Sequence, residues 1–180
     1  MTLASFITIS RVVLIIPIMY LIITPSFWAN IFALILFLIA AVTDYLDGYI
    51  ARKTSTESSL GALLDLLADK LLVCLVLIWF VYVNQKTALI IPVLLIISRE
   101  LIISALRQYI VELVGKNKVK VSIIGKSKTT IQFKAISLLI ISPNLGNYFE
   151  FISNTFVWIA AIASIISLYS YLKEWKKFLR

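Results

Sequence analysis

Apolar residues dominate six stretches of the chain, and short segments rich in polar residues, proline or glycine separate them. A helix needs about 20 mainly apolar residues to cross a bilayer core about 30 Å thick. The pattern therefore predicts an all-α polytopic membrane protein, with six transmembrane helices in a single bundle that forms one domain over residues 1–180. The fifth stretch is the shortest, so a start within the lysine-rich segment before it is also considered. The expected spans lie near Phe6 to Ile23, Phe27 to Leu46, Leu60 to Val83, Ala88 to Leu113, Thr129 to Ile141 and Asn154 to Leu172.

The composition agrees with a membrane protein and limits the available chemistry. Hydrophobic residues make up 61% of the chain and charged residues only 14%, whereas soluble domains are about 25% charged. There is no histidine, and Cys74 is the only cysteine. Histidine general bases, histidine metal sites and an intramolecular disulfide are thus excluded. Any catalysis must use carboxylates, amines, guanidinium groups or hydroxyls.

The net charge of +8 is interpreted as topology information, and no nucleic-acid partner is expected. Basic residues follow the second and fourth stretches and end the chain, whereas Lys86 is the only basic residue in the opposite loops. Because cytoplasmic loops are enriched in Lys and Arg, both termini and both basic loops are expected in the cytoplasm. The basic positions are Arg52, Lys53, Lys116, Lys118, Lys120, Lys126, Lys128, Lys173, Lys176, Lys177 and Arg180.

Four aspartates cluster at the expected cytoplasmic ends of the second and third helices. Asp44 and Asp47 are three residues apart, and Asp65 and Asp69 are four apart, so each pair lies on one helical face. A charge within a spanning segment costs at least about 2.5 kcal/mol. The acids are therefore expected to share a polar site, with the two helices as antiparallel neighbours.

Carboxylates without nearby His or Cys are typical ligands of a hard divalent cation. We expect Mg²⁺ or Mn²⁺, held by all four aspartates. Mg²⁺ usually completes its shell with water and substrate phosphate, which indicates a phosphate-bearing substrate. The alternative is a buried ion-pair network with Arg52, Lys53 and Lys70, although those cations could also extend towards water.

The residues around the acids form the pattern D-x2-D-G-x2-A-R-x8-G-x3-D-x3-D, from Asp44 to Asp69. This pattern resembles the signature of the CDP-alcohol phosphotransferase family, and all eight fixed positions match. The resemblance implies a six-helix enzyme of the bacterial plasma membrane, commonly a homodimer, with a cytoplasmic active site. Such an enzyme transfers a phosphatidyl group from CDP-diacylglycerol to an alcohol by metal-assisted direct displacement and releases CMP.

The same resemblance assigns roles to individual residues. It implies that Asp69 is the base for the incoming hydroxyl, besides being one of the four metal ligands. It also implies that the CDP portion is held by Thr8, Gly48, Ala51, Arg52 and Gly61. The small residues let a ligand approach the backbone, and Arg52 can bind phosphate oxygens bidentately.

Two further stretches indicate the acceptor. Arg99-Glu100 through Leu106-Arg107, and Gly125 through Gln132, resemble the patterns R-E-x5-L-R and G-K-x-K-T-x-x-Q of bacterial phosphatidylglycerophosphate synthases within that family. The implied acceptor is sn-glycerol 3-phosphate, whose phosphate is expected to contact Arg107, Lys126 and Lys128. Arg99 is a further candidate, with pairing to Glu100 or to a neighbouring helix as its alternative.

One part of the family pattern is incomplete, and alternative functions remain. The N-terminal motif P-N-x-x-T-x-x-R keeps only Thr8 and Arg11. Arg11 is expected to bind a substrate phosphate or one of the acids, or else to extend to the interface. The alternative acceptors are phosphatidylglycerol, inositol phosphate and serine. A divalent-cation transporter is a separate possibility, but it leaves the spacing of the small residues and Arg52 unexplained.

Overall fold

The computed structural model describes the backbone of residues 3–54, 59–114 and 123–176, and the side chains of residues 9–43, 67–112 and 129–176. Within this part the chain is all helical, with six α-helices and no strand, as the sequence predicts. A short 3-10 turn, Thr87–Leu89, leads into the fourth helix. The helices are α1 Leu3–Ile23, α2 Phe27–Thr54, α3 Ser59–Val83, α4 Ile90–Val114, α5 Ile123–Ile141 and α6 Asn147–Trp175.

Three helices extend six or more residues beyond the limits expected from hydropathy. α2 ends eight residues after Leu46, α5 begins six residues before Thr129, and α6 begins seven residues before Asn154. Hydropathy marks only the apolar part of a helix, whereas backbone hydrogen bonding continues through polar residues. The early start of α5, within the lysine-rich segment, was one of the two expectations.

The helices pack as two groups joined through α5 and α4. α1 contacts both α2 and α3, and α6 contacts both α4 and α5. α5 also contacts α2 and α3, and α4 contacts α3. The core between them is almost entirely aliphatic, apart from a few aromatic rings such as Phe37, which lies 5.5 Å from the ring of Phe133. Other large buried side chains include Ile18, Leu72, Leu77, Ile96, Ile136 and Leu139.

The outer surface of the bundle is also apolar. Ile16 and Phe151 are each 70% exposed, and Ile91 and Ile162 face outwards as well. Among the described side chains, two helical segments are long and apolar enough to cross a bilayer, Thr87–Glu112 and Asn147–Trp175. Two shorter apolar segments, Ile9–Ile23 and Phe27–Thr43, accompany them.

Gly146, which precedes α6, has φ +83° and ψ 176°, a region that only glycine adopts readily. We expect Gly146→Ala to lower the free energy of unfolding by about 1 to 3 kcal/mol. No atom lies within 4 Å of an added Cβ, so the expected loss comes from backbone strain alone. Thermal unfolding of the purified protein measures it, with Ser170→Ala in α6 as control. An unchanged unfolding midpoint in Gly146→Ala would contradict the expected backbone strain.

Candidate active site

The candidate metal ligands lie on two continuous helices. Asp44 and Asp47 belong to α2, and Asp65 and Asp69 belong to α3, so the helical spacing keeps each pair of positions on one face. α1 and α5 contact both helices. Asp69 is half-buried, and the side chains of the other three lie outside the described part. Convergence of all four carboxylates stays a prediction.

The donor chemistry of these positions fits a hard divalent cation, because all four are carboxylates and Mg²⁺ and Mn²⁺ prefer oxygen ligands. Among the described side chains, no group of three His, Cys, Asp or Glu residues could hold a metal ion. Three of the four expected ligands are outside that set, so the expected ligand group is not tested.

Four of the five residues expected to hold the CDP portion lie on the same two helices. Gly48, Ala51 and Arg52 are in α2, Gly61 is in α3, and Thr8 is in α1. Their side chains are outside the described part. The same holds for Lys126 and Lys128, which lie in the first two turns of α5. The assigned roles therefore stay predictions.

Lys70, the residue after Asp69 in α3, interacts electrostatically with charged residues of both α3 and α4. The ammonium group of Lys70, which is half-buried, interacts electrostatically with Glu100, Asp69 and Arg107. Arg107 is exposed, so its guanidinium remains accessible to a ligand. The fold thus brings the expected acceptor-binding Arg107 within electrostatic range of Lys70, the residue that follows the expected base.

Arg99 adopts the alternative contacts considered from the sequence. It is only 4% exposed, and its Nη1 lies 3.4 Å from both carboxylate oxygens of Glu100. Its Nη2 donates a hydrogen bond of 2.7 Å to Ser167 Oγ in α6, and its guanidinium lies 5.7 Å from the ring centre of Tyr171. Arg99 is thus a partner of α6, and both of its terminal nitrogens are engaged within the protein.

Gln132 extends this polar group to α5. Its Nε2 donates to Glu100 Oε1 and to Ser164 Oγ, both at 3.2 Å, and Gln132 is 2% exposed. Sequence reasoning did not assign roles to Ser164, Ser167 or Tyr171. The sequence did contain a signal for them. Ser167 follows Ser164 by three residues and Tyr171 follows it by seven, so the three polar groups share one face of an apolar helix.

Arg11 is fully buried within the protein. Extension of its guanidinium to the membrane interface, one of the expectations, is therefore wrong, because a snorkelling side chain keeps its charged end in water. The two expectations that remain both pair it with an anionic group, either a substrate phosphate or an aspartate.

A cavity of about 470 Å³ lies at the opposite ends of α2 and α3 from the aspartates. Its polar lining comes mainly from uncharged side chains, among them Asn30, Asn84 and Asn144. Lys86 and Glu150 form an ion pair that joins the connection before α4 to the start of α6. This end of the bundle is separate from the candidate site.

Comparison with known proteins decides the family. The family model described as CDP-alcohol phosphatidyltransferase matches residues 1–166. The chain belongs to the CDP-alcohol phosphatidyltransferase family. The family and the enzyme class predicted from the signature are thereby confirmed. The match includes the helices that carry the aspartates, as well as Arg99, Glu100 and Gln132.

Curated relatives within this phosphatidyltransferase family cover nearly the whole chain. A protein of Rickettsia bellii is 38% identical over 178 residues, which are 98% of this chain and 96% of the relative. A protein of Haemophilus influenzae is 40% identical over 93% of this chain and 90% of the relative. One from Shigella flexneri serotype 5b is 35% identical over 93% and 91%. All three are named CDP-diacylglycerol–glycerol-3-phosphate 3-phosphatidyltransferase.

Proposed function

We propose that the protein transfers the phosphatidyl group of CDP-diacylglycerol to sn-glycerol 3-phosphate, giving phosphatidylglycerophosphate and CMP. The observation that carries this proposal is the complete signature on α2 and α3, with Arg107 of α4 close enough to Lys70, the residue after Asp69, to interact with it electrostatically. The names of relatives that are 35 to 40% identical support the same donor and acceptor.

The protein is proposed to cross the bacterial plasma membrane six times. The apolar outer surface supports this arrangement, because in a soluble bundle those side chains would be exposed to water, whereas a bilayer covers them with lipid. The basic residues at the end of α2 and those that follow α4 in the sequence support an active site and both termini in the cytoplasm. We also propose that the protein forms a homodimer.

Asp44, Asp47, Asp65 and Asp69 are proposed to hold Mg²⁺ or Mn²⁺. When bound there, the metal supplies positive charge against the pyrophosphate of CDP-diacylglycerol. Thr8, Gly48, Ala51, Arg52 and Gly61 are proposed to hold the CDP portion, with the guanidinium of Arg52 against phosphate oxygens. The diacylglycerol chains remain in the bilayer.

The reaction proposed for these residues is a single displacement. The Asp69 carboxylate accepts the proton of the acceptor hydroxyl, and the resulting oxygen nucleophile attacks the β-phosphorus. The new phosphorus–oxygen bond forms as the bond between the β-phosphorus and the CMP oxygen breaks, and CMP leaves with that electron pair. Arg107, Lys126 and Lys128 hold the acceptor phosphate. Arg99, whose terminal nitrogens contact Glu100 and Ser167, is proposed to hold α4 against α6 and not to bind the acceptor phosphate.

Acceptor choice tests the proposed function. Initial rates of CMP release are compared for glycerol 3-phosphate, glycerol, serine, inositol phosphate and phosphatidylglycerol. We expect release with glycerol 3-phosphate alone. The three cations favour an anionic phosphate over glycerol and serine, and the names of the relatives favour glycerol 3-phosphate over inositol phosphate and phosphatidylglycerol. Release with another acceptor would retain the family chemistry and overturn the proposed acceptor.

Arg107→Gln is expected to raise the KM for glycerol 3-phosphate by roughly tenfold to a hundredfold, since a hydrogen bond to a charged group contributes about 1.5 to 3 kcal/mol. The KM for CDP-diacylglycerol should change little. Steady-state kinetics with each substrate varied measure both constants. Lys134→Gln is the matched control, because Lys134 is exposed on α5 and has no proposed role. An unchanged KM for glycerol 3-phosphate in the Arg107 variant would contradict the pocket.

A further inference from the structure

Glu100 lies where three other helices approach α4. Its carboxylate pairs with Arg99 on the same helix and accepts a hydrogen bond from Gln132 of α5. Through Arg99 and Gln132 it is connected to Ser167 and Ser164 of α6. It also interacts electrostatically with Lys70 of α3, the residue that follows Asp69. One side chain therefore links the helix of the expected base to α5 and α6.

Stability alone gives a poor account of this polar group. Glu100 is 8% exposed, and its contacts with Arg99 are long, at 3.4 Å. Arg99 Nε is buried and, among the described residues, has no hydrogen-bond partner. Replacement of such buried ion pairs by apolar residues is often neutral or stabilising. A group of this kind is better explained by the arrangement that it imposes on the helices.

The Glu100–Gln132 hydrogen bond joins α4 directly to α5, two helices that otherwise pack mainly against α6. Arg107 follows Glu100 by seven residues, two turns later on the same face of α4. Lys128 precedes Gln132 by four residues, one turn earlier on the same face of α5. Both positions thus lie between the contact and the segment that connects the two helices. At 1.5 Å per residue they are about 10 Å and about 6 Å along their helices from that contact.

We propose that Glu100 and Gln132 are positioning residues for the acceptor site, fixing α4, α5 and α3 so that the phosphate-binding cations and Asp69 hold one acceptor molecule together. This inference rests on the proposed function. Neither side chain has to touch the reacting atoms. Both act by placing Arg107 and Lys128 at a defined separation from Asp69.

Positioning and simple electrostatics predict opposite effects of the same substitution. Glu100→Gln keeps the shape of the side chain and removes one negative charge that acts on Lys70. If Glu100 acted only through its charge, the pocket would become more positive and the KM for anionic glycerol 3-phosphate would fall. If Glu100 positions the helices, the weaker hydrogen bond that a neutral amide accepts from Gln132 and the loss of the pair with Arg99 displace them, and that KM rises.

The test compares Glu100→Gln and Gln132→Met with wild type and with Ser170→Ala. Gln132→Met keeps the volume and charge but removes both hydrogen bonds, whereas within the described residues the Ser170 hydroxyl donates to the carbonyl of Ile166 in its own helix. We expect both test variants to lower kcat/KM for glycerol 3-phosphate by roughly tenfold to a hundredfold, the scale of a misplacement of about 1 Å. The KM for CDP-diacylglycerol and the elution of the folded protein should remain as in wild type, and Ser170→Ala should match wild type throughout.

Several results would overturn the inference. A lower or unchanged KM for glycerol 3-phosphate in Glu100→Gln would favour charge alone. If kcat/KM fell equally for glycerol 3-phosphate and CDP-diacylglycerol, or if neither variant gave folded protein, the role of Glu100 and Gln132 would be in stability. If only Glu100→Gln fails to fold, Gln132→Met decides alone. A wild type that releases CMP with glycerol 3-phosphate, alongside unaffected variants, overturns this inference only. If the wild type releases no CMP with any of the acceptors tested, the proposed function and this inference are overturned together.

Discussion

Asp69→Asn is expected to lower the rate of acceptor-dependent CMP release by about 10²- to 10⁴-fold, the usual contribution of a positioned general base. The amide has nearly the same shape as the carboxylate, but it cannot accept the hydroxyl proton and is a weaker ligand for a cation. The change should appear mainly in kcat, because Asp69 is not expected to hold the acceptor phosphate. Initial rates at saturating concentrations of both substrates measure it.

Glu150→Gln is the matched control for Asp69→Asn. Glu150 is a half-buried acid that pairs with Lys86 at the opposite end of the bundle, so the same chemical change there should leave the rate unchanged. Size-exclusion elution and the thermal midpoint show whether each variant is folded. Near wild-type activity in folded Asp69→Asn would refute its assignment as the base.

Removal of divalent cations is expected to reduce CMP release by about 10³-fold or more, because metal ions contribute several kcal/mol to such reactions and each 1.36 kcal/mol corresponds to about tenfold in rate. Chelation followed by measurement of initial rates tests this effect. Addition of Mg²⁺ or Mn²⁺ should restore the rate, whereas addition of Ca²⁺ alone tests whether a larger cation suffices.

The protein itself should survive metal removal, since its described core is built from apolar contacts between helices. The thermal midpoint of the chelated protein in detergent is the control for loss of fold. Full activity after exhaustive chelation would contradict the assignment of the four aspartates as metal ligands. Loss of activity with loss of folded protein would instead give the metal a structural role.

The helices could be predicted because each contains a long apolar stretch, and hydropathy reports such stretches directly. Their ends could not be predicted as well. α2 continues through Arg52 to Thr54, and α6 begins at Asn147, where polar residues keep helical hydrogen bonding outside the apolar part. The φ value of Gly146 fixes the start of α6 more closely than hydropathy does.

The candidate site was predictable where it depends on spacing within one segment of sequence. The signature from Asp44 to Asp69 is such a case, and it identified the family that the comparison confirms. The partners of Arg99 depend instead on tertiary packing, because Ser167 is 68 residues away in the sequence. The alternatives for Arg99 could therefore be named from the sequence, but only the fold distinguishes them.

The central claim is tested most directly by identifying both products of one reaction. Purified protein is supplied with CDP-diacylglycerol, glycerol 3-phosphate and Mg²⁺ or Mn²⁺, and the lipid product and CMP are quantified by mass spectrometry. The account predicts phosphatidylglycerophosphate and CMP in equal amounts, both dependent on glycerol 3-phosphate. CMP without the new lipid, or cation flux in vesicles without either product, would contradict it.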